Sequence, residues 1–322
     1  MRLRLVPQNT NIDFFRFWKV FAGLSVLAMA ASVVLFFTVG LNFGIDFLGG
    51  TTIRTASVQT VDVGAYRQAL APLNLGDVSI TEVFDAAASA GQHVSQIRIQ
   101  EQGGDESITP EVIAQIEAAL QTFDPSITFP SVESVGPKVS GELVQVAVLS
   151  VVLAIAACLI YIWLRFEWQF SVGAVLSLVH DVTLTIGVFC MLQIRFDLTI
   201  IAALLTIIGY SLNDTVVVFD RVRENLRRFK KMELRDVLNL SINETLSRTT
   251  MTSFTTLIAL IAMFTLGGDV IRGFVFAMIW GIVVGTYSSI FIASTIVLKL
   301  GVKRDWSKPS AGAGTQYANI DA

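Results

Sequence analysis

Six stretches of almost unbroken apolar sequence constrain this chain more than anything else in it. They lie at about 20–39, 143–164, 169–194, 198–219, 249–267 and 273–297. Each has the ~20 residues that a helix needs to cross the hydrocarbon core of a bilayer. A lipid-exposed backbone must satisfy its own polar groups, so runs of this length predict six transmembrane helices. The first run follows Arg2, Arg4, Arg16 and Lys19, as in a secretory leader. It is longer than the ~7–15 apolar residues of a cleavable segment, so the expectation is an uncleaved first helix. Of 322 residues, 15% are charged, against about a quarter in a soluble domain. The net charge of −3 provides no global basic field for nucleic acid. Cys158 and Cys190 both fall inside apolar runs and read as small core residues rather than a disulfide framework.

Lys and Arg in the short connections set the orientation. They crowd the arm 1–19, the polar loop 220–247 and the tail 299–322. Six spans put all three on one side, which predicts cytoplasmic termini in the inner membrane of a Gram-negative cell. Segment 40–142 then lies in the periplasm. It is poor in positive charge, with Arg54, Arg67, Arg98 and Lys138, and rich in acids.

Segment 40–142 is long enough to fold. Thr51–Val58 alternates like a strand, and Val61–Leu73 has helical spacing ending near Pro72. Ser79–Asp85 and Val94–Gln100 read as strands joined by a loop containing Gly91. Thr109-Pro110-Glu111 reads as a helix start, with a Thr cap and Pro at the first helical position, and the helix runs to about Phe123. Ile127–Val135 is a last strand. The order β-α-β-β-α-β is that of a ferredoxin-like split βαβ unit. The expected fold is thus a polytopic α-helical membrane protein with one α+β ferredoxin-like periplasmic domain between its first two transmembrane helices.

Ionisable groups inside hydrocarbon are costly and mark function. In the fourth span Thr206, Tyr210 and Asp214 lie four apart, with Asn213 beside them. In the fifth, Arg248, Thr252, Thr255 and Thr256 follow the same spacing. Residues four apart are neighbours on a helix surface. An acidic stripe therefore faces a basic, hydroxyl-rich one. A motion that changes the Asp214–Arg248 separation would change proton affinity, which is what a relay requires. The same pair also fits a static salt bridge, and Arg248 fits a residue that snorkels to the membrane surface. Asp220 and Arg221 read as solvated anchors. His180-Asp181, in the third span, fits a secondary proton stop or a structural hydrogen bond. Metal binding is not indicated, since the other histidine is His93. The last span carries Gly273, Ala277, Gly281, Gly285 and Ser289 every four residues, so that small residues share one face. Such a face lets backbones approach closely, for static packing or for sliding. There is no Gly-x-x-x-x-Gly-Lys-Ser/Thr loop for ATP, and no Cys or His cluster for a cofactor.

Several stretches resemble one family. Phe43-Gly-Ile-Asp46-Phe-Leu-Gly49-Gly50 is similar to the signature shared by SecD/SecF proteins. Val135-Gly-Pro-Lys138-Val-Ser-Gly141-Glu142 looks like their return into the membrane. Ile207 to Asn225, Asn243-Glu244-Thr-Leu-Ser-Arg248-Thr and Gly285-Thr-Tyr-Ser-Ser289 complete the resemblance, which covers about 13–300. The family belongs to the resistance-nodulation-division superfamily. The resemblance implies six helices and one ferredoxin-like periplasmic domain, paired with a SecD subunit that brings six more. It implies association with the SecYEG channel and, through YajC, with YidC. It also implies use of the proton-motive force, with protons as coupling ion and no cofactor, to draw exported unfolded polypeptide outward. The family's proton residues match Asp214, Arg248 and Thr252, and a further acid lies on SecD. Half of a proton-driven small-molecule exporter and a non-transporting scaffold of the export channel stay open beside this reading.

Overall fold

The computed structural model describes residues 10–76, 78–83, 92–99 and 108–302 of the chain. In order these form α1 (Trp18–Thr38), β1 (Asn42–Phe43), α2 (Ile45–Leu48), β2 (Gly50–Ser57), α3 (Val63–Leu70), β3 (Val78–Val83), β4 (His93–Ile99), α4 (Pro110–Phe123), β5 (Thr128–Val135), α5 (Pro137–Arg165), α6 (Trp168–Leu192), β6 (Arg195–Phe196), α7 (Leu198–Arg228), α8 (Leu234–Leu266) and α9 (Asp269–Ser288). The last helix continues through a π-helical turn, Ser289–Ala293, into α10 (Ser294–Leu300). Asp85, Gly91, Gln100, the start of the arm and most of the tail lie outside the described residues.

Six helices are long and apolar enough to cross a membrane. They are α1, α5, α6, α7, α8 and the unit from Ile271 to Leu300. The segments α6, α7 and α9–α10 form the packed centre. The apolar faces of α1 and α5 are mostly exposed, as suits helices whose solvent is lipid.

Two apolar cores stack along these helices. One holds Phe196, Ile200, Leu204, Ile207, Val275 and Ile282 at the end next to the strands. The other holds Phe170, Phe219, Val222, Leu226, Leu238 and Val297 at the far end. The second core corrects one expectation. Residues 220–247, read as a loop, are helical except for 229–233. Val218, Val222 and Leu226 recur every four residues and are buried against Val237, Leu238 and Ile242. This apolar stripe carries α7 and α8 beyond their uniformly apolar stretches. Asp220 and Arg221, read as solvated anchors, are partly exposed and each has an ion-pair partner. Arg165 donates to Asp220 at 2.9 Å, and Arg221 donates to Glu244 at 2.7 Å. The described part of the arm docks on α8. Ile12 N–H donates to Asn243 Oδ1 and Asn243 Nδ2 donates to Ile12 O, both at 2.9 Å, while Phe14 N–H donates to Asn239 at 2.9 Å.

The extramembrane sheet is wholly antiparallel, in the order β3-β4-β2-β5. Asp62 starts α3 by accepting from Gly64 and Ala65 N–H. Pro110 opens α4, but the Thr109 side chain does not cap it. Ile116 and Leu120 of α4 meet Tyr66 and Leu70 of α3 and Ile53 and Ile97 of the sheet in a third apolar core. Asp124 is buried beneath this layer and accepts from the Ser57 and Ser126 hydroxyls and from Ser126 N–H. Burial works to raise the Asp124 carboxyl, but these three hydrogen bonds outweigh it and hold the group below the usual carboxylate range.

The sheet meets the helices at a narrow junction. β5 runs into α5 through Gly136 alone. β1 pairs in parallel with β6, Asn42 with Arg195 and Phe43 with Phe196. Arg98 of β4 donates to Phe43 O at 3.2 Å. Asp46 of α2 accepts from Leu198 N–H, the first of α7, at 3.0 Å.

Candidate functional site

Between the two membrane cores lies a polar layer contributed by α6, α7 and α9. Asp181 of α6 is 1% exposed. It accepts from Ser211 of α7 at 2.6 Å and from Ser288 of α9 at 2.8 Å, both on Oδ2, and its Oδ1 lies 2.9 Å from His180 Nδ1. Asp214, one turn beyond Ser211 on α7, is 7% exposed and accepts from Ser289 at 2.9 Å. Consecutive residues on a helix point about 100° apart. Ser288 and Ser289 therefore reach carboxylates on two different helices. They stand where the backbone passes into the π-helical turn, with Ser294 Oγ donating to Ser289 O at 3.2 Å. Single π turns inside α-helices occur frequently at functional sites.

The small-residue stripe explains how α9 comes close enough. Gly273, Gly281 and Gly285 face Ile200, Ile207 and Ser211 of α7 in a parallel register. A Cβ at Gly281 would stand 2.4 Å from Ile207 side-chain carbons, and one at Gly285 would stand 3.0 Å from Ser211 Cβ. Ala277 is fully buried in the same seam, and Ser289 continues it to Asp214. The stripe thus places the two serine hydroxyls beside the carboxylates.

The expected Asp214–Arg248 contact is not an ion pair. Among the described residues, no charged nitrogen lies within 4.0 Å of Asp214. The Thr249 side chain is buried on α8 beside Asp214. Arg248 and Thr252 are exposed on α8, and the Thr252 hydroxyl donates to Arg248 O and Thr249 O of its own helix. The reason is rotational drift. Each four-residue step turns about 40°, so Thr206 and Asp214 point about 80° apart. Thr206 and Asn213 are exposed accordingly, while Asp214 turns inward. Tyr210 is half-buried between them, its hydroxyl 3.4 Å from Thr256 on α8.

The model described as "Protein export membrane protein SecD/SecF, C-terminal" matches residues 115–303, and that of the "SecD/SecF GG Motif" matches residues 34–61. The chain belongs to the SecD/SecF family. It is 64% identical over 321 residues to the protein translocase subunit SecF of Cereibacter sphaeroides, covering 100% of this chain and 99% of that one. It is 43% identical over 306 residues to the protein translocase subunit SecDF of Brucella abortus, covering 94% of this chain and 39% of that one. The crystal structure of SecDF from Thermus thermophilus, a translocon-associated membrane protein, superposes with a TM-score of 0.82 at 33% identity. That match covers 93% of this chain and 40% of the longer one. As a SecD/SecF protein with six such helices, the chain is a multi-pass membrane protein.

Within the SecD/SecF signature after α1, Asp46 has a physical task that sequence reasoning missed. Together with Asp197, which accepts from Thr199 and Ile200 N–H, it satisfies three of the four orphan donors at the start of α7. The signal for Asp197 was legible as Asp-Leu-Thr before an apolar run. Nothing in sequence links Asp46 to a helix 152 residues away. Ser211 and Ser288 were also missed, because serine is an ordinary residue of membrane helices.

Proposed function

We propose that the chain is the SecF-type half of a SecD/SecF export accessory that uses the proton-motive force to help draw unfolded polypeptide through the SecYEG channel, with Asp214 as the proton-carrying group. It drives conformational work and catalyses no covalent reaction; protons are the coupling ion, and no other cofactor enters. The observation that carries the reading is Asp214 itself. It is a carboxylate buried at membrane depth, held by the Ser289 hydroxyl and unneutralised by a locked ion pair. A carboxylate fixed in a salt bridge resists protonation. One held by a neutral donor with Arg248 at a distance responds when that distance changes. Thr252 positions Arg248 by bonding the carbonyl of its turn, and Tyr210 and Asn213 frame the same surface.

The polar face of α7 and α8 supports a SecD partner. Thr206, Asn213, Arg248, Thr252 and Thr255 are exposed here within membrane helices. A bare guanidinium in hydrocarbon costs at least a few kcal/mol. A second six-helix subunit that brings an acid to Arg248 removes that cost. The chain spans 40% of the solved SecDF chain, which leaves room in that relative for such a subunit. YajC and YidC join the assembly as further partners in this reading. The sheet order β3-β4-β2-β5 supports a ferredoxin-like domain, and the basic far end supports an inner-membrane protein with that domain in the periplasm and both termini in the cytoplasm.

One charge crossing 100 mV releases about 2.3 kcal/mol, comparable with the few kcal/mol that separate conformational states. The test is secretion into inverted membrane vesicles at constant ATP, with and without a proton gradient. Asp214→Asn is expected to assemble with its partners and to lose the gradient-dependent component. Undiminished gradient-dependent secretion by that variant refutes the assignment, and secretion indifferent to the gradient in the wild type favours a scaffold.

A further inference from the structure

Both side chains of the His180–Asp181 pair are buried, at 2% exposure or less. Among the described residues, no cation other than His180 stands within ion-pair distance of Asp181. Its remaining partners are the neutral hydroxyls of Ser211 and Ser288. His180 Nε2 is buried and has no partner among the described residues. A satisfied structural histidine uses both ring nitrogens, so a buried bare nitrogen demands an explanation. The groups facing this ring from elsewhere are Tyr287 of α9, whose ring lies 6.1 Å away, and, through Tyr287, the Ser25 hydroxyl of α1 at 2.9 Å.

Two helices tie this pair to Asp214. On α7, Ser211 donates to Asp181 one turn before Asp214 itself. On α9, Ser288 donates to Asp181 and its neighbour Ser289 donates to Asp214. Gly285 seats α9 directly on Ser211. A shift of α9 along α7 therefore cannot alter the donor at one carboxylate and spare the other.

We propose that His180 and Asp181 form a second proton-holding site, coupled to Asp214 through Ser211 of α7 and the Ser288–Ser289 pair where α9 passes into the π-helical turn. This rests on the reading of Asp214 as a proton carrier and adds a second station to it. One proton is shared between Nδ1 of His180 and Oδ1 of Asp181. A second binds at Nε2 and leaves from the same atom, so the pair alternates between a neutral ring beside a carboxylate and an imidazolium beside that carboxylate. Interacting sites titrate as a unit, so the proton on Asp214 sets how readily Nε2 takes its own.

The test is nitrogen-15 NMR of histidine-labelled full chain, co-purified with its partner subunit in lipid nanodiscs. His93, outside the membrane helices, serves as the reference. Asp214→Asn is expected to change the ratio of doubly protonated to neutral His180 at fixed pH by about threefold or more. With Ser211→Ala and Ser288→Ala both present, Asp214→Asn is expected to leave the ratio unchanged. Ser288→Thr, which keeps the hydroxyl, is expected to respond as the wild type does. A His180 ratio indifferent to Asp214, or a response that survives loss of both serines, overturns the proposal. If the doubly substituted chain does not assemble, the comparison of wild type with Asp214→Asn decides. The readout needs no secretion. A His180 that answers to Asp214 in a protein whose secretion ignores the proton gradient sinks the motor and spares the coupling, and the converse sinks the coupling alone.

Discussion

Removing the Asp46 carboxylate should loosen the start of α7 and leave the rest of that helix in place. Leu198, Thr199 and Ile200 present the first N–H groups of a 31-residue helix. Asp197 serves the second and third, and Asp46 serves the first from another part of the chain. Loss of a capping acceptor costs about 1 kcal/mol, and loss of a negative charge at a helix N-terminus about 0.5 kcal/mol more. Asp46→Ala loses both, about 1.5 kcal/mol, or roughly tenfold in a local opening equilibrium. Asp46→Asn keeps an acceptor oxygen and loses only the charge, roughly two- to threefold. Hydrogen exchange followed by mass spectrometry, on the chain in nanodiscs, reads this directly in peptides covering 196–204. The expected order of exchange is Ala fastest, Asn intermediate and wild type slowest, with peptides covering 218–228 unchanged. Equal exchange in all three chains would refute the capping argument. Acceleration spread evenly along α7 would show instead that Asp46 acts on global stability.

Packing and charge give three further outcomes. Gly281→Ala pushes a methyl into Ile207 and should cost about 1–3 kcal/mol in membrane-domain stability by overpacking. Gly209→Ala meets nothing within 4 Å in this chain, so it should leave the isolated chain unaffected and weaken co-purification with a partner seated on that face; thermal unfolding and pull-down separate the two. Asp124 holds its carboxyl low in the folded sheet domain. Its contribution is therefore complete above the unfolded-state value near about pH 4 and fades as pH falls through the lower folded value. Hydrogen exchange in β2 and β5 should accelerate on acidification in that window for the wild type, and Asp124→Asn should show a weaker acid dependence.

The six spans were legible because few other sequences produce apolar runs of that length, and the sheet elements because alternation and proline placement are local signals. Residues 220–247 were misread because polarity was taken for irregularity. Val218, Val222, Leu226, Val237, Leu238 and Ile242 already spell out an amphipathic hairpin in sequence. The site was half legible. Asp214, His180, Asp181 and the small-residue stripe are conspicuous as residue types in hydrocarbon. Which of them meet is a matter of helix rotation. A fourfold spacing keeps neighbours in contact over one turn and turns them apart over two. That is why Thr206 and Asp214 part company and why Asp214 finds Ser289 in place of Arg248. The tie between Asp46 and Leu198 spans too much sequence for any local pattern to carry it.

If Asp214 carries protons as proposed, these contacts make α7 the element through which a proton event reaches the sheet. Asp214 lies 16 residues into the helix from Leu198, about 24 Å along its axis. At one end Asp46 ties α7 to the signature after α1, and Phe43 in that signature accepts from Arg98 of the sheet. At the other end Asn225 donates to Ser241 at 3.0 Å and to Glu244 at 2.6 Å. Beside the junction lies a cleft of about 600 Å3, lined by Arg54, Arg98, Arg195 and Arg272. A helix in that arrangement moves as a rod, since bending it breaks backbone hydrogen bonds that hydrocarbon cannot replace. In the proposed motor, a shift of α7 against α9 set by the hydroxyls on Asp214 and Asp181 would reach the sheet through the bonds of the junction. Breaking the junction should leave proton binding at Asp214 intact and abolish the gradient-dependent part of secretion, whereas in a scaffold that part is absent from the start.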